Sequence, residues 1–245
     1  MKTIALTITM TLLLGINLIS ASVQSDIDAA NKAGKVVFLV VTETGITGTN
    51  QAVEIAKKAQ AQYLKSEVLQ MDRSDTANSE FVAKYRLSGA TLPLILVIAT
   101  NGIVAAGFTG DKMSPELLVN AIPSPKKSDV QMYLSEGKSV FVVVTSKSMK
   151  SSDNMMNTCQ QACIEMENNA KMIEISMDDS QEKQFLTELK VDMTATAPVT
   201  YVINSKGQIT GSFGDDVNSA TLVATAKKVT SGCCGGGKTC GPTKK

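Results

Sequence analysis

The stretch "SDIDAANKAGKVVFLVVT" at positions 25–42 recurs in the second half of the chain as "SDVQMYLSEGKSVFVVVT" at 128–145, a separation of 103 residues. The similarity continues downstream, where Pro93 corresponds to Pro198 at a separation of 105. Small changes of spacing between elements are typical of a repeat with short insertions. The sequence therefore predicts two copies of one structural unit, joined by the polar, proline-containing segment 123–129.

Each copy has the same predicted order of elements. A short helix capped by Ser25 or Ser128 precedes a continuous apolar run rich in valine, which is typical of a strand buried on both faces. A helix, a strand, a second helix and a glycine-centred hairpin follow, and a terminal helix closes the unit. The predicted strands are 36–41, 67–71, 140–144 and 172–176, and the predicted helices are 51–64, 78–87, 155–170, 181–189 and 219–230.

This order, βαβαββα after a short leading helix, resembles the thioredoxin fold, as does the proline that begins the strand before the hairpin. The resemblance covers about residues 25–122 and 128–230. It implies an α/β protein of two tandem thioredoxin-like domains, each with a mixed central sheet flanked by helices. In that family the proline peptide is cis and lies beside the active site, so cis bonds and substrate grooves are implied at Leu92–Pro93 and Ala197–Pro198.

The residues that carry thioredoxin chemistry are missing from both copies. That chemistry needs Cys-x-x-Cys at the N-terminus of the helix after the first long strand, where the helix dipole lowers the pKa of the attacking thiol. The segments at this place, "TETGITGTN" (42–50) and "TSKSMKSSDN" (145–154), contain no cysteine, and the protein contains no tryptophan. The position where the family buries a carboxylate corresponds to valine, near Val37 and Val143. Ordinary disulfide exchange at this site is therefore not expected.

Composition narrows the chemistry further. The chain of 245 residues has no histidine, which excludes His-dependent triads and the usual general base at neutral pH. Its 24 Lys and Arg residues balance 23 Asp and Glu, and this net charge of +1 gives no electrostatic basis for binding nucleic acid. Any chemistry must depend on thiols or carboxylates.

Residues 1–22 have the layout of a signal peptide, with a lysine, an apolar run and small residues at the end. The alternative is an uncleaved membrane anchor, which the length of the apolar run just allows. Export places the protein outside the cell or in the periplasm, in an oxidising compartment. There, five cysteines are more often paired or metal-bound than idle, and the odd number leaves at least one without an internal partner.

Two cysteines, Cys159 and Cys163, lie four residues apart on a predicted helix. Their Cβ atoms are then about 5–6 Å apart, whereas a disulfide needs about 3.5–4.5 Å. They share one helix face, where they could bind a soft metal or meet other thiols. The alternative is that both are small buried hydrophobic residues.

The other three cysteines, Cys233, Cys234 and Cys240, lie in the glycine-rich tail 231–245. Residues 232–239 also match the phosphate-loop pattern GxxxxGK[ST], but no helix can follow them, so a nucleotide site is not expected. In a thioredoxin unit the final helix packs beside the helix that carries Cys163, which brings the tail within its reach. A candidate site for Cu(I) or Zn(II) therefore comprises five thiols: Cys159, Cys163, Cys233, Cys234 and Cys240.

Three functions fit these features. The favoured one is an exported, non-catalytic or redox-associated module that holds a protein or peptide of the cell envelope in the grooves beside Pro93 or Pro198. The runner-up is soft-metal binding or disulfide exchange through the five cysteines. The third is purely structural, with disulfides that only fix the tail. Nucleic acid is excluded as a partner, and a membrane is expected only if the signal segment stays uncleaved.

Overall fold

The computed structural model describes residues 22–149 and 152–229. Residues 1–21 of the predicted signal peptide and all three tail cysteines lie outside the described residues. The first half contains α1 (Val23–Lys32), β1 (Val36–Thr42), α2 (Thr49–Gln62), β2 (Ser66–Asp72), α3 (Ser79–Lys84), β3 (Leu94–Ile98), β4 (Val104–Thr109) and α4 (Pro115–Asn120). The second half contains α5 (Pro125–Ser135), β5 (Ser139–Thr145), α6 (Asp153–Glu165), β6 (Ala170–Ser176), α7 (Lys183–Glu188), β7 (Val199–Ile203), β8 (Ile209–Phe213) and α8 (Ser219–Ala226).

Each half is built on a four-stranded mixed sheet. The strand orders are β2-β1-β3-β4 and β6-β5-β7-β8, with the first two strands of each sheet parallel and the remaining pairs antiparallel. Both sheets carry a register shift at the same place in the repeat, between Val97 and Ile98 and between Val202 and Ile203. The repeat seen in the sequence is thus reproduced in the detail of strand pairing.

The central strands β1 and β5 are buried along their whole length. In β1, Val37 and its alternate neighbours pack with α1 and α3, while Phe38 and its alternate neighbours pack with α2 and α4. A strand covered by helices on both faces needs apolar residues at every position, which explains the continuous apolar runs.

The position where the thioredoxin family buries a carboxylate was predicted near Val37 in one copy and near Val143 in the other. These two positions are not equivalent in the structure. Val37 lies on the α1 face of its sheet, whereas Val143 packs in the cluster of α6 and α8 on the other face of the second sheet. The separation of 103 residues instead pairs Val37 with Val140. Neither β1 nor β5 contains an ionisable residue.

The leading helices begin earlier than predicted. Ser22 and Ser124, rather than Ser25 and Ser128, occupy the N-cap positions of α1 and α5. Ser124 Oγ accepts a hydrogen bond of 3.4 Å from the backbone N–H of Lys127, and a proline follows at the first helical position, where its missing N–H costs nothing. Helix α5 therefore begins inside the predicted linker of 123–129.

The helix predicted for 155–170 ends at Glu165. Glu167 and Asn168 have φ of 51° and 64°, the left-handed conformation that commonly ends a helix. The chain then enters β6 at Ala170. Among the described residues, no helix is both long and apolar enough to cross a bilayer.

Candidate functional site

The loop between β1 and α2 occupies the place of the thioredoxin active site. Gly45 and Gly48 have the spacing of the two cysteines in Cys-x-x-Cys, and their φ angles are 85° and 87°. Residues with a side chain are strained in this left-handed conformation, whereas glycine is not. Gly48 is also the N-cap of α2. The loop therefore has a backbone that suits glycine at both of these positions.

Pro93 lies beside this loop, and the Leu92–Pro93 peptide is cis, as the resemblance implied. A Cβ atom placed on Gly48 would lie 3.7 Å from Cγ and Cδ of Pro93, which is ordinary van der Waals contact. Leu92 and Pro93 are half-buried and Thr91 is exposed. The backbone N–H and C=O of Thr91 have no hydrogen-bond partner within the described part of the chain. We call the surface between the glycine loop and this open segment of backbone the groove.

One arginine, Arg73, holds both sides of this groove. Its Nε donates to Glu43 Oε2 at 2.7 Å, and its Nη2 lies 2.6 Å from the same oxygen. Its Nη1 donates to the carbonyl oxygens of Leu87 at 3.0 Å and Ala90 at 2.9 Å. Glu43 lies in the glycine loop, while Leu87 and Ala90 lie in the segment that leads to Pro93. The Arg73 side chain is 19% exposed and that of Glu43 is 36% exposed, so these bonds are partly shielded from water.

Polar groups border the groove. Thr42 Oγ1 and Thr49 Oγ1 share a hydrogen bond of 2.7 Å, and Thr44 Oγ1 donates to Asp72 Oδ2 at 3.1 Å. Hydrogen bonds from the side chain and backbone of Ser74 lower the pKa of Asp72 below its ordinary value, with a smaller contribution from Thr44. The groove therefore has a fixed carboxylate at its rim but no thiol.

The second half does not reproduce this arrangement, and the expected cis bond at Ala197–Pro198 was wrong: Leu92–Pro93 is the one cis peptide among the described residues. The residue that corresponds to Arg73 is Asp179, which accepts a hydrogen bond of 2.9 Å from the backbone N–H of Gln181. No arginine ties the segment before Pro198 to the preceding loop, and that segment is closed instead by hydrogen bonds from Thr194 to Asp192. The two proline segments thus differ both in conformation and in the contacts that they make.

The order of elements and the pairing of strands decide the fold of both halves. Each half is a thioredoxin-like domain. The predicted α/β architecture of two tandem domains is confirmed, and the cis proline beside the helix N-terminus is present in the first domain.

Known proteins resemble this chain only weakly. No protein-family model matches the sequence, and no curated protein is significantly similar to it. The first two thioredoxin domains of Eps1p from Naumovozyma dairenensis are 11% identical; the match covers 88% of this chain and 98% of that one, with a TM-score of 0.30. Human ERp44 in its zinc-bound form is 12% identical over 82% of this chain and 57% of its own, with a TM-score of 0.36. A thiol:disulfide interchange protein of the thioredoxin family from Chlorobium tepidum is 12% identical over 40% of this chain and 82% of its own, with a TM-score of 0.31. With scores this low, the assignment rests on the topology of the thioredoxin-like domains themselves.

Cys159 and Cys163 are buried in the second thioredoxin-like domain, in the apolar cluster between α6, α8 and the sheet. Cys159 is fully buried, Cys163 is 8% exposed, and neither forms a disulfide within residues 22–149 and 152–229. Cys159 Sγ lies 3.4 Å from Thr200 Oγ1. Burial raises the pKa of Cys159, and burial together with the nearby Cys159 raises the pKa of Cys163 to about 11. Both thiols therefore stay protonated at neutral pH and pack as small apolar side chains.

This burial does not favour the predicted metal site at the helix. No group of three or more His, Cys, Asp or Glu side chains in the part of the chain that the structure describes is arranged to hold a metal ion. Cys233, Cys234 and Cys240 lie outside the described residues, so their contribution to metal binding or to a disulfide stays a prediction.

Sequence reasoning identified Pro93 and the missing cysteines but missed Arg73. Its partners are two backbone carbonyls and a glutamate in a distant loop, and backbone carbonyls leave no signal in a sequence. The one indication was its place directly after β2, at the end of the sheet where the active-site loop lies.

Proposed function

We propose that the protein is a non-catalytic binding module that holds an extended peptide in the groove of the first domain, beside Pro93. The observation that carries this proposal is the exposed, unpaired backbone of Thr91 opposite a glycine loop. An extended peptide can pair with such a backbone as an added strand, and neighbouring pockets then select its side chains. Ile46, which is 37% exposed at the tip of the loop, supplies an apolar contact for the peptide.

No described residue of the groove carries a thiol, which supports binding without chemistry. Thiol exchange needs a thiolate, and the two cysteines among the described residues are buried in the core of the other domain with raised pKa values. The partner is a protein or peptide of the cell envelope, since the N-terminal sequence predicts export.

The proposal is tested with a reduced, carboxymethylated α-lactalbumin, a chain that cannot refold and carries no thiols. NMR titration of the labelled protein should shift the amide signals of Gly45, Gly48 and Thr91. Thr91→Pro removes the N–H donor that pairs with the peptide. Ala90 already has φ of −71° and ψ of 141°, which a following proline accepts.

The matched control is Thr196→Pro, at the corresponding position before Pro198. We expect Thr91→Pro to weaken binding by about 1 kcal/mol, or about fivefold in Kd, and Thr196→Pro to leave it unchanged. Absence of any shift with the unfolded chain, or equal effects of the two substitutions, would contradict the proposal.

A further inference from the structure

The two domains meet around a cavity of about 180 Å³. The first domain contributes β4 and the end of α4, a surface that we call the donor surface. Its members are Ala105, Ala106 and residues 120–122. The second domain contributes the outer sides of α5 and α7, which we call the acceptor surface. Its members are Lys127, Gln131, Gln184 and Phe185.

The repeat places a second copy of the acceptor surface on the first domain. Lys127 and Gln131 in α5 correspond to Gln24 and Asp28, which lie 103 positions earlier. Gln184 and Phe185 in α7 correspond to Glu80 and Phe81, which lie 104 positions earlier. These four residues line a cavity of about 390 Å³, all of whose lining residues belong to the first domain. Asp28 and Glu80 are exposed. Among the described residues, nothing from the second domain covers this surface.

A second copy of the donor surface lies on the second domain. Ala105 and Ala106 correspond to Thr210 and Gly211 on the edge strand β8, which line a cavity of about 490 Å³. Ile209 on the same strand is 49% exposed. The strand carries neither a charge nor a proline, the usual protections of an exposed sheet edge.

We propose that these two exposed surfaces bind each other in different copies of the chain. The β8–α8 surface of one molecule docks on the α1–α3 surface of the next, as β4 and α4 dock on α5 and α7 within one molecule. Such a contact joins two different surfaces. After each addition, a β8–α8 surface is therefore still exposed at one end of the assembly and an α1–α3 surface at the other. The result is a head-to-tail chain or a closed ring.

Charges distinguish the contact between molecules from the contact within one. The helices α4 and α8 end at the C-cap residues Ala121 and Lys227, so Lys227 corresponds to Ala121 and Lys228 to Ile122. Ala121 and Ile122 line the internal cavity together with two glutamines.

In the contact between molecules, Lys227 and Lys228 take the places of Ala121 and Ile122. Asp28 and Glu80 take the places of the two glutamines, Gln131 and Gln184. The internal cavity is lined by the charged Lys127. Between molecules, by contrast, two lysines face Asp28 and Glu80, with Lys84 in the same lining, and these five charged side chains are exposed. Complementary charges of this kind set the partner and the orientation of an interface.

Sedimentation velocity of the full chain over a wide range of concentration tests the proposal. We expect the average mass to rise above that of one chain as concentration increases, and to fall when salt shortens the range of the charge pairing. Lys227→Glu with Lys228→Glu blocks the basic surface, and Asp28→Lys with Glu80→Lys blocks the acidic one. Each double variant should associate about tenfold more weakly or not at all.

Two further samples make the test specific. An equimolar mixture of the two double variants offers two complementary contacts. The substituted glutamates of one variant face the substituted lysines of the other, and the unchanged Lys227 and Lys228 face the unchanged Asp28 and Glu80, so the mixture should form a mixed complex. Combination of all four substitutions in one chain should restore self-association, which excludes misfolding as the cause of its loss. Lys57→Glu with Lys58→Glu changes the charge equally on α2, away from both surfaces, and should associate like the wild type.

Three results would overturn the proposal. One is a single-chain mass at every concentration. Another is self-association that survives both double variants. The third is failure of the fourfold variant to associate although its circular dichroism matches that of the wild type.

Discussion

Glu182 Oε1 accepts a hydrogen bond of 2.9 Å from the backbone N–H of Lys126, in the first turn of α5. Its Oε2 accepts a second bond of 2.6 Å from Ser124 Oγ, and the side chain is only 1% exposed. At the corresponding place in the first domain, Asn78 Oδ1 accepts a hydrogen bond of 3.0 Å from the backbone N–H of Val23. The residue before the third helix thus ties down the leading helix in both domains.

This relationship predicts a large loss of stability on Glu182→Ala. The substitution leaves a partly buried backbone N–H and a partly buried serine hydroxyl without an acceptor, at about 1–2 kcal/mol each. We expect urea unfolding to show a loss of about 2–4 kcal/mol. Glu188→Ala is the control, because Glu188 forms an exposed ion pair with Lys127 that contributes about 1 kcal/mol or less. Equal losses in the two variants would contradict a special role for Glu182.

Arg73→Met should loosen the groove of the first domain. The substitution leaves the carbonyls of Leu87 and Ala90 without their donor, at about 1.5–3 kcal/mol for hydrogen bonds to a charged group. We expect faster hydrogen exchange in residues 87–91 and weaker binding of the unfolded α-lactalbumin. Lys35→Met removes the exposed ion pair with Glu67 elsewhere in the same domain and should change neither. If Arg73→Met binds the unfolded chain as the wild type does, Arg73 does not shape the groove.

Much of this architecture could be predicted from the sequence, because a strand covered on both faces leaves an unbroken apolar run. The starts of the leading helices could not, since Ser22 and Ser25 both suit an N-cap and only the packing chooses between them. The conformation at Pro198 was also beyond prediction. Residues 90–93 and 195–198 share the letters Ala-Thr-x-Pro, yet among the described residues only the peptide before Pro93 is cis.

The same limit applies to the candidate site. The absence of Cys-x-x-Cys is visible in the letters, whereas the burial of Cys159 and Cys163 is not, because a helix face with cysteines suits either a core or a metal. Phe141 and Leu222 pack in the same apolar cluster as the two thiols, so both cysteines are core residues.

Alkylation of Cys163 should be slow at neutral pH and should accelerate up to about pH 11. The thiolate is the reactive form, and the pKa of Cys163 is raised from an ordinary 9.0 to about 11. The folded protein should therefore carry about a hundredfold less thiolate than an unfolded chain at pH 8. Because the folded pKa is the higher one, the protein also loses stability as pH rises from about 9 to 11. Iodoacetamide labelling with and without urea, read by mass spectrometry, checks this; equal rates in both conditions would contradict burial of the thiol.

The glycine loop predicts that cysteines cannot simply be returned to the site. Gly45→Cys with Gly48→Cys restores the Cys-x-x-Cys spacing, but both positions have left-handed φ angles that cost a residue with a side chain about 1–2 kcal/mol each. A Cβ atom at Gly48 meets Pro93 only at 3.7 Å, so the expected loss comes from the backbone and not from a clash. Gly89→Cys is the control, because its surroundings are open and its φ is not left-handed. We expect the double variant to unfold at lower urea than the control and to reduce insulin no faster than the wild type. A double variant as stable as the control, with a disulfide between the two new thiols and rapid insulin reduction, would mean that the loop is an intact active-site scaffold that has lost only its cysteines.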